Sequence, residues 1–337
     1  MGWWEVDSDT LASGRFIVSP LAETFAAMQA FYYDVPGHPA QRAWLDEHRA
    51  RWRAMIAGDP LTAPLIEAAM GARTHWIADL LTPVLNGEFT TFDDELGLVR
   101  GTPPEKAWAD LVVSSGGPLP ERLRRTDVAD HLADVLTWVW TEAVLPTWAR
   151  RRRIIEADIL SRTAQLSRDG WAAVLDGMRP GMRWLRDGRL QINVHDFPSL
   201  QTRGAPLYFV PVTPARGWVA YDDTLQYTII YPCSGALADV DATTAPEPLA
   251  RLLGQNRAQV LVLLDTPKST THLVALANQG LGSVGRHLKI LLDSGLIGRR
   301  RSGKSVLYYR TASGDVLVNS AAAQVSSVHS PTGRTRP

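Results

Sequence analysis

Charge is divided unevenly along this chain, and that division constrains its fold more than any single motif. Between Arg251 and Arg310 there are ten Lys/Arg and only two acids, Asp265 and Asp293, giving 10 − 2 = +8. The whole chain has 35 Lys+Arg and 35 Asp+Glu, so the remainder carries 25 basic and 33 acidic residues, or −8. All twelve tryptophans lie outside the basic stretch, the last being Trp218. Two modules of different chemistry are therefore expected, and 337 residues is long for one domain. No run of about 18 apolar residues occurs, so no membrane span is expected. The opening "MGWWEVDSDTLASGR" lacks the basic start and apolar core of a secretory signal. The single Cys233 excludes an intramolecular disulfide framework and a thiolate metal cage. These features together predict a soluble cytoplasmic protein.

The first module reads as α then β. "GRFIVSP" is a short strand running into a helix, with Ser19 as N-cap and Pro20 at the first helical position. Leu21, Phe25, Met28 and Tyr32 then recur at helical spacing. Further helices are predicted at about 40–57, 61–81, 104–113, 126–143 and 146–168. From residue 189 the period shortens. Leu190, Ile192 and Val194 alternate, and "APLYFVPV", "GWVAY" and "QYTIIYP" read as strands of an antiparallel meander.

The basic module reads as helices followed by a hairpin. "PLARLLGQNRAQVLVLLDT" gives a helix with Val260, Leu263 and Leu264 inward, and "STTHLVALAN" restarts with Ser269 or Thr270 as N-cap. In "QGLGSVGRHLKILLDSGLI" the residues Leu281, Val284, Leu288, Leu291 and Leu292 form one apolar stripe. Ser283, Arg286, Lys289 and Asp293 fall opposite, and Gly295 closes the helix. Next comes the octet Gly298 to Ser305, "GRRRSGKS", which matches the phosphate-loop pattern G-x-x-x-x-G-K-[ST]. A phosphate loop must follow a buried strand and open a helix. Here the octet follows a helix and runs into the β-branched, aromatic "VLYYR", so a hairpin turning at Gly303 is the better reading.

Residues 249 to about 318 resemble the winged helix-turn-helix of the ArsR/SmtB family of bacterial regulators. The resemblance rests on "LLGQNRAQVLVLL", "STTHLVALA", "LGSVGRHLKILLDSGLI" and "RRSGKSVLYYR" and covers about a fifth of the chain. It implies a homodimeric repressor that leaves its double-stranded DNA operator when an effector binds. The well-known members sense metals through cysteines on the helix equivalent to 281–293. This chain has none there, so no metal site is expected. The layout, with this module behind a large extra domain, is similar to actinobacterial ArsR-like regulators.

The expected fold class is α+β. A mostly helical N-terminal domain with an antiparallel β segment spans 1–240, and 241–248 is a linker. The winged helix-turn-helix spans 249–318, and 319–337 is a disordered tail. In that fold Arg299, Arg300, Arg301, Lys304 and Arg310 would meet phosphates or enter a minor groove. Ser283, Arg286, His287 and Lys289 are the candidates for base edges, Arg286 for a guanine, while Thr270 and Thr271 cap a helix and touch phosphate. The N-terminal domain is expected to dimerise, to bind a small organic effector, or both, with Trp138, Trp148, Trp171 and Trp184 as effector candidates. The alternative is a ligand-free scaffold that dimerises or recruits a partner. Arg150–Arg153 read as a solvated, salt-bridged helix face. No positioned nucleophile–base pair is legible, so neither an enzyme nor a cofactor is expected.

Overall fold

Ser19 and Pro20 start a helix as their types predict: the Ser19 hydroxyl accepts from the Ala22 N–H at 2.9 Å and Pro20 occupies the first turn. In the computed structural model this helix is the centre of a mixed helix-and-strand protein. The structure describes residues 2–36, 39–88, 91–185, 187–195, 197, 199–221, 226–233, 245–265, 268–277, 279–302 and 305–328. For 39–40, 265, 271–272, 275, 302, 305 and 322–328 it describes the backbone only. The chain divides into two units, Met1–Ala236 and Leu237–Pro337, close to the boundary that charge composition suggests.

The first unit opens with β1 (Trp3–Glu5), α1 (Ser8–Ala12), β2 (Arg15–Phe16), α2 (Pro20–Tyr33), α3 (Pro39–Gly58) and α4 (Thr62–Ala69). It continues through α5 (Phe92–Arg100), α6 (Pro104–Ser115), α7 (Val128–Val139) and α8 (Trp148–Leu175). Six strands close it: β3 (Arg183–Trp184), β4 (Arg189–Gln191), β5 (Leu200–Gln201), β6 (Leu207–Val212), β7 (Val219–Tyr221) and β8 (Tyr227–Pro232). The helix expected over 61–81 is cut short because Gly71 turns left-handed (φ 62°); a Cβ there would sit 2.0 Å from the Trp76 carbonyl oxygen. Helix α8 begins at Trp148 rather than Pro146 and breaks at Gly170 (φ 76°, ψ 174°). Among the described residues no helix is long and apolar enough to cross a membrane.

The strands do not form an antiparallel meander. They form two mixed four-stranded sheets, ordered β3-β4-β1-β5 and β2-β6-β8-β7. In the second, β2 and β8 both run parallel to β6, and only β7 is antiparallel, paired with β8. The physical reason is burial on both faces. All six residues of "LYFVPV" are buried, and a continuous apolar run fits a covered parallel strand better than a half-exposed one. Val210, Val212 and Ile230 point into a helical core with Leu21, Phe25, Leu65 and Leu132. Leu207, Phe209, Ile229 and Tyr231, on the opposite face, join a second core with Trp4, Val174 and Leu190.

The second unit runs α9 (Glu247–Leu253), α10 (Gln255–Val262), β9 (Lys268–Ser269), α11 (Thr270–Ala277), α12 (Leu281–Asp293), β10 (Ile297–Ser302), β11 (Ser305–Arg310) and α13 (Ala312–Val328). The single helix expected from residue 249 is two, because Gly254 adopts φ 81° and ψ 141°. Helix α9 starts inside the expected 241–248 linker. Val260, Leu263, Leu264, Leu273, Val284, Leu288 and Leu291 share one core. At the end of α12, Gly295 N–H reaches the Leu292 carbonyl and Leu296 N–H the Leu291 carbonyl, the paired bonds of a Schellman stop. The expected disordered tail is corrected in part. Helix α13 continues to Val328 and places Val318 and Ala321 in the same core as Leu288. A sequence of small and polar residues hides such a helix, because only two or three apolar positions anchor it.

Candidate functional site

Two arrangements of polar groups stand out, one in each unit. In the C-terminal unit, α12 buries Val284, Leu288 and Leu291 and turns Arg286 and Lys289 to solvent. Leu281, expected in the buried stripe, is instead 64% exposed at the first turn. Gly282 and Gly285 are exposed, with nothing within 4 Å of where a Cβ would stand. Each costs about 1 kcal/mol of helix stability relative to alanine and no packing within the unit requires them. They leave a bare strip of backbone beside Arg286.

Next to α12, β10 pairs antiparallel with β11 and β11 with β9, so Arg299 faces Tyr308, Arg300 faces Leu307 and Arg301 faces Val306. All three arginines are exposed. Among the described residues none of Arg286, Lys289 and Arg299–Arg301 is in an ion pair. The octet with the phosphate-loop pattern thus lies across two paired strands, with no helix after Ser305. Its first glycine has a different use: a Cβ on Gly298 would lie 2.6 Å from the Tyr309 ring across the ladder.

The other candidates separate. Ser283 shares its hydroxyl with His287 Nε2 (3.2 Å) and Gln279 (3.4 Å), so both side chains are engaged within the unit. Burial, then Arg257 and Arg286, push the half-buried His287 below its usual pKa, which keeps it neutral at pH 7. Arg310 is half-buried and ion-paired to Asp315 at 2.8 Å, through a contact that lacks hydrogen-bond geometry. It anchors α13 to β11 rather than standing free. Thr270 begins α11. The side chain of Thr271, and Lys304 entirely, lie outside the described residues.

In the N-terminal unit a cavity of about 390 Å³ opens beside β1, β4 and β7. None of Trp138, Trp148, Trp171 and Trp184 lines it. Trp138 packs on Trp52, Trp148 on Trp140, Trp171 forms a three-ring cluster with Phe16 and Phe209, and Trp184 packs on the core around Trp4. The tryptophans at the cavity are Trp4, Trp76 and Trp218, with Phe197 and Tyr221 beside them. Trp76 meets Phe197 edge-on at 5.3 Å and Tyr221 at 6.1 Å, and its Nε1–H donates to Asp79 at 3.0 Å. His75, a non-glycine residue held left-handed at φ 60°, stacks on His195 with centroids 4.0 Å apart.

Arg179 crosses one wall of this cavity. It donates through Nη1 to the Ile192 carbonyl at 2.9 Å and through Nη2 to the Gly217 carbonyl at 3.4 Å, while its Nε–H has no partner among the described residues. Burial pulls the guanidinium's pKa down from 12.5 to about 10. His195 is lowered by burial, then by His75 and Arg179.

No protein-family model matches the chain, and no curated protein does. Among solved structures, the crystal structure of RV1404 from Mycobacterium tuberculosis is similar to a part of it. The likeness is 19% in identity with a TM-score of 0.22, over 28% of this chain and 75% of that one.

The Arg150–Arg153 run is the expected solvated, salt-bridged face only in part, because Arg151 turns inward and is buried while Arg152 and Arg153 are exposed. Arg151 Nη1 donates to Glu23 at 2.6 Å and to Thr213 at 2.9 Å, all three side chains buried, and Arg152 pairs with Glu156 at 2.9 Å. No group of three or more His, Cys, Asp or Glu among the described residues could hold a metal ion. Arg179 escaped sequence reasoning because nothing local distinguishes it from other arginines; its isolation arises only when distant segments close around it.

Proposed function

We propose that this chain is a sequence-specific, DNA-binding transcriptional regulator, a homodimeric repressor released by a small organic effector. In this reading the C-terminal unit is a winged helix-turn-helix, with α11 and α12 as the helix pair and β10–β11 as the wing. The observation that carries it is the unpaired cationic surface of Arg286, Lys289 and Arg299–Arg301 on two adjoining elements of a unit with a net charge of +8 between Arg251 and Arg310. Solvent satisfies each of these charges, but five of one sign gathered on two adjoining elements make a local positive field that a polyanion would match. The glycine strip of α12 supports the same reading, since it lets a backbone or a base edge come close to the helix.

The roles then follow from exposure. Arg286 and Lys289 reach base edges or phosphates from α12, Arg286 having the planar fork that suits a guanine. Arg299–Arg301 neutralise phosphates or enter a minor groove. Thr270 is positioned for a phosphate contact at the start of α11. Ser283 and His287 shape the helix surface without reading it. The scaffold alternative for the N-terminal unit has less support, because a cavity of about 390 Å³ is the size of ligand sites.

Selection from a randomised duplex pool tests the proposal. The expected outcome is enrichment of one inverted-repeat sequence, with Arg286→Ala relaxing the preference at one base per half-site by about 1–3 kcal/mol. Recovery of duplexes with no enriched sequence would overturn it.

A further inference from the structure

The cavity of the N-terminal unit carries an inference about what the effector is. Its shape comes from segments far apart in sequence. The Gly71–Ile77 loop forms one side, the Arg179–Pro180 turn and Ile192–His195 another, and Arg216–Tyr221 the third. Two of these segments are built with backbone that only a specific residue tolerates. At Gly217 a Cβ would stand 2.3 Å from the Ile230 carbonyl oxygen, and at Gly71 it would stand 2.0 Å from that of Trp76. The left-handed His75 adds backbone strain on the same rim, and such strain concentrates at ligand sites.

The charge of the lining is unbalanced. Among the described lining residues there are two guanidiniums, Arg179 and Arg216, and one carboxylate, Asp79. Asp79 is engaged by the Trp76 indole. The Arg216 guanidinium carbon sits over the Tyr33 ring, 4.0 Å from its centroid, which holds it without neutralising it. Arg179 has only two backbone carbonyls as described partners. A desolvated guanidinium without a counter-charge costs stability, and an incoming anion repays that cost. Two further buried atoms of the lining residues, Gln29 Oε1 and Trp4 Nε1, have no hydrogen-bond partner among the described residues. The body of the cavity, by contrast, is aromatic: Trp76, Phe197, Trp218 and Tyr221 supply flat walls.

We infer that this cavity binds a small aromatic carboxylate, its carboxylate on the Arg179 guanidinium and its ring between Trp76, Trp218 and Tyr221. The fork of Arg179 matches two carboxylate oxygens, and His195, stacked on His75, stands on the same side of the cavity. A neutral ring of the same shape would fill the walls and leave Arg179 unmatched, so the charge is the discriminating feature. Binding itself stands independently of the DNA reading; its consequence, loss of the operator complex, rests on that reading.

Titration calorimetry on the full chain without DNA tests the site, using indole-3-acetate and 2-naphthoate against their amides. Saturable binding of at least one acid is expected, with its amide at least roughly tenfold weaker. Arg179→Gln should abolish the difference between acid and amide. Val194 is exposed on the rim, so Val194→Glu and Val194→Lys leave the core untouched. They should weaken and strengthen acid binding by roughly twofold each, with the amide unmoved. This pair decides the matter should Arg179→Gln fail to fold. Equal affinity for acid and amide, or no saturable heat from either acid at millimolar concentration, would overturn the inference. An intact acid site in a chain that selects no duplex would sink only the regulator reading, and an enriched duplex with no acid site only this one.

Discussion

The arginines of the two units are held in opposite ways. In the N-terminal unit they are folded into partnerships: Arg151 with Glu23, Arg162 with Asp158, Arg100 with Asp130 and Asp134, Arg49 with Asp34 and Asp46. In the C-terminal unit Arg286 and Arg299–Arg301 stand in solvent with no acid among the described residues. Identical side chains therefore do different work. In the first unit they close a structure, and in the second they present charge outward. Arg179 sharpens the contrast, since it is enclosed like Arg151 and, among the described residues, unmatched by an acid like the second group. The difference teaches that an arginine's partner, more than its burial, tells whether it serves the fold or a ligand.

That contrast can be broken most forcefully at Arg151. Arg151→Met removes one member of a fully enclosed pair and leaves Glu23 buried without its counter-charge. The expected loss is about 3–5 kcal/mol in urea unfolding. An unfolding free energy within about 1 kcal/mol of the parent would mean that the pair is dispensable and the contrast overstated.

A smaller effect is expected at Glu95, the acid that holds the start of α2. It accepts from the Leu21 N–H and the Ser19 hydroxyl, each at 2.8 Å. Burial nevertheless pushes its carboxyl up from 4.5 to about 7. Because folding raises this pKa, the group's contribution to stability is full below pH 4.5 and is lost as pH rises through about 7. Thermal melts should thus show the parent losing roughly 3 kcal/mol over that window relative to Glu95→Gln. Parallel pH profiles for the two proteins would rule this out. The smallest effect belongs to Arg310→Ala. Losing the partly exposed pair with Asp315 should cost at most about 1 kcal/mol and leave the salt dependence of DNA binding unchanged. A flattened salt dependence would return Arg310 to the outward-facing group.

The legible part of this molecule is the local part. The Ser19–Pro20 start, the α12 stripe of Val284, Leu288 and Leu291, and the β10–β11 hairpin follow from spacing within a few residues. The outward set Arg286, Lys289 and Arg299–Arg301 follows from the same periodicity. What escaped depends on distant segments. Strand β2 pairs with β6 from nearly the other end of the unit, and β8 slots between β6 and β7, so a row of strands that reads as a meander becomes a mixed sheet. The continuous burial of "LYFVPV" is the trace that the sequence does carry of this arrangement. That the tryptophan candidates do not line the cavity has a related reason. Density along the chain finds aromatic residues, whereas Trp4, Trp76 and Trp218 meet at the cavity from three separate segments. Arg310 stands apart from the outward set because its place at the end of the basic hairpin gives no hint of Asp315 on the following helix.

The outward-facing arginines carry the central claim, and their salt dependence tests it most directly. Binding of the full chain and of the Arg299→Ala/Arg300→Ala/Arg301→Ala variant to one duplex should be followed by fluorescence anisotropy over a series of salt concentrations. If these side chains neutralise phosphates, the slope of log affinity against log salt should flatten by about three units, roughly one for each arginine. Melting of the variant should match the parent, since none of the three is in an ion pair among the described residues. An equal slope in parent and variant, or no duplex binding by the parent even at low salt, would contradict the account.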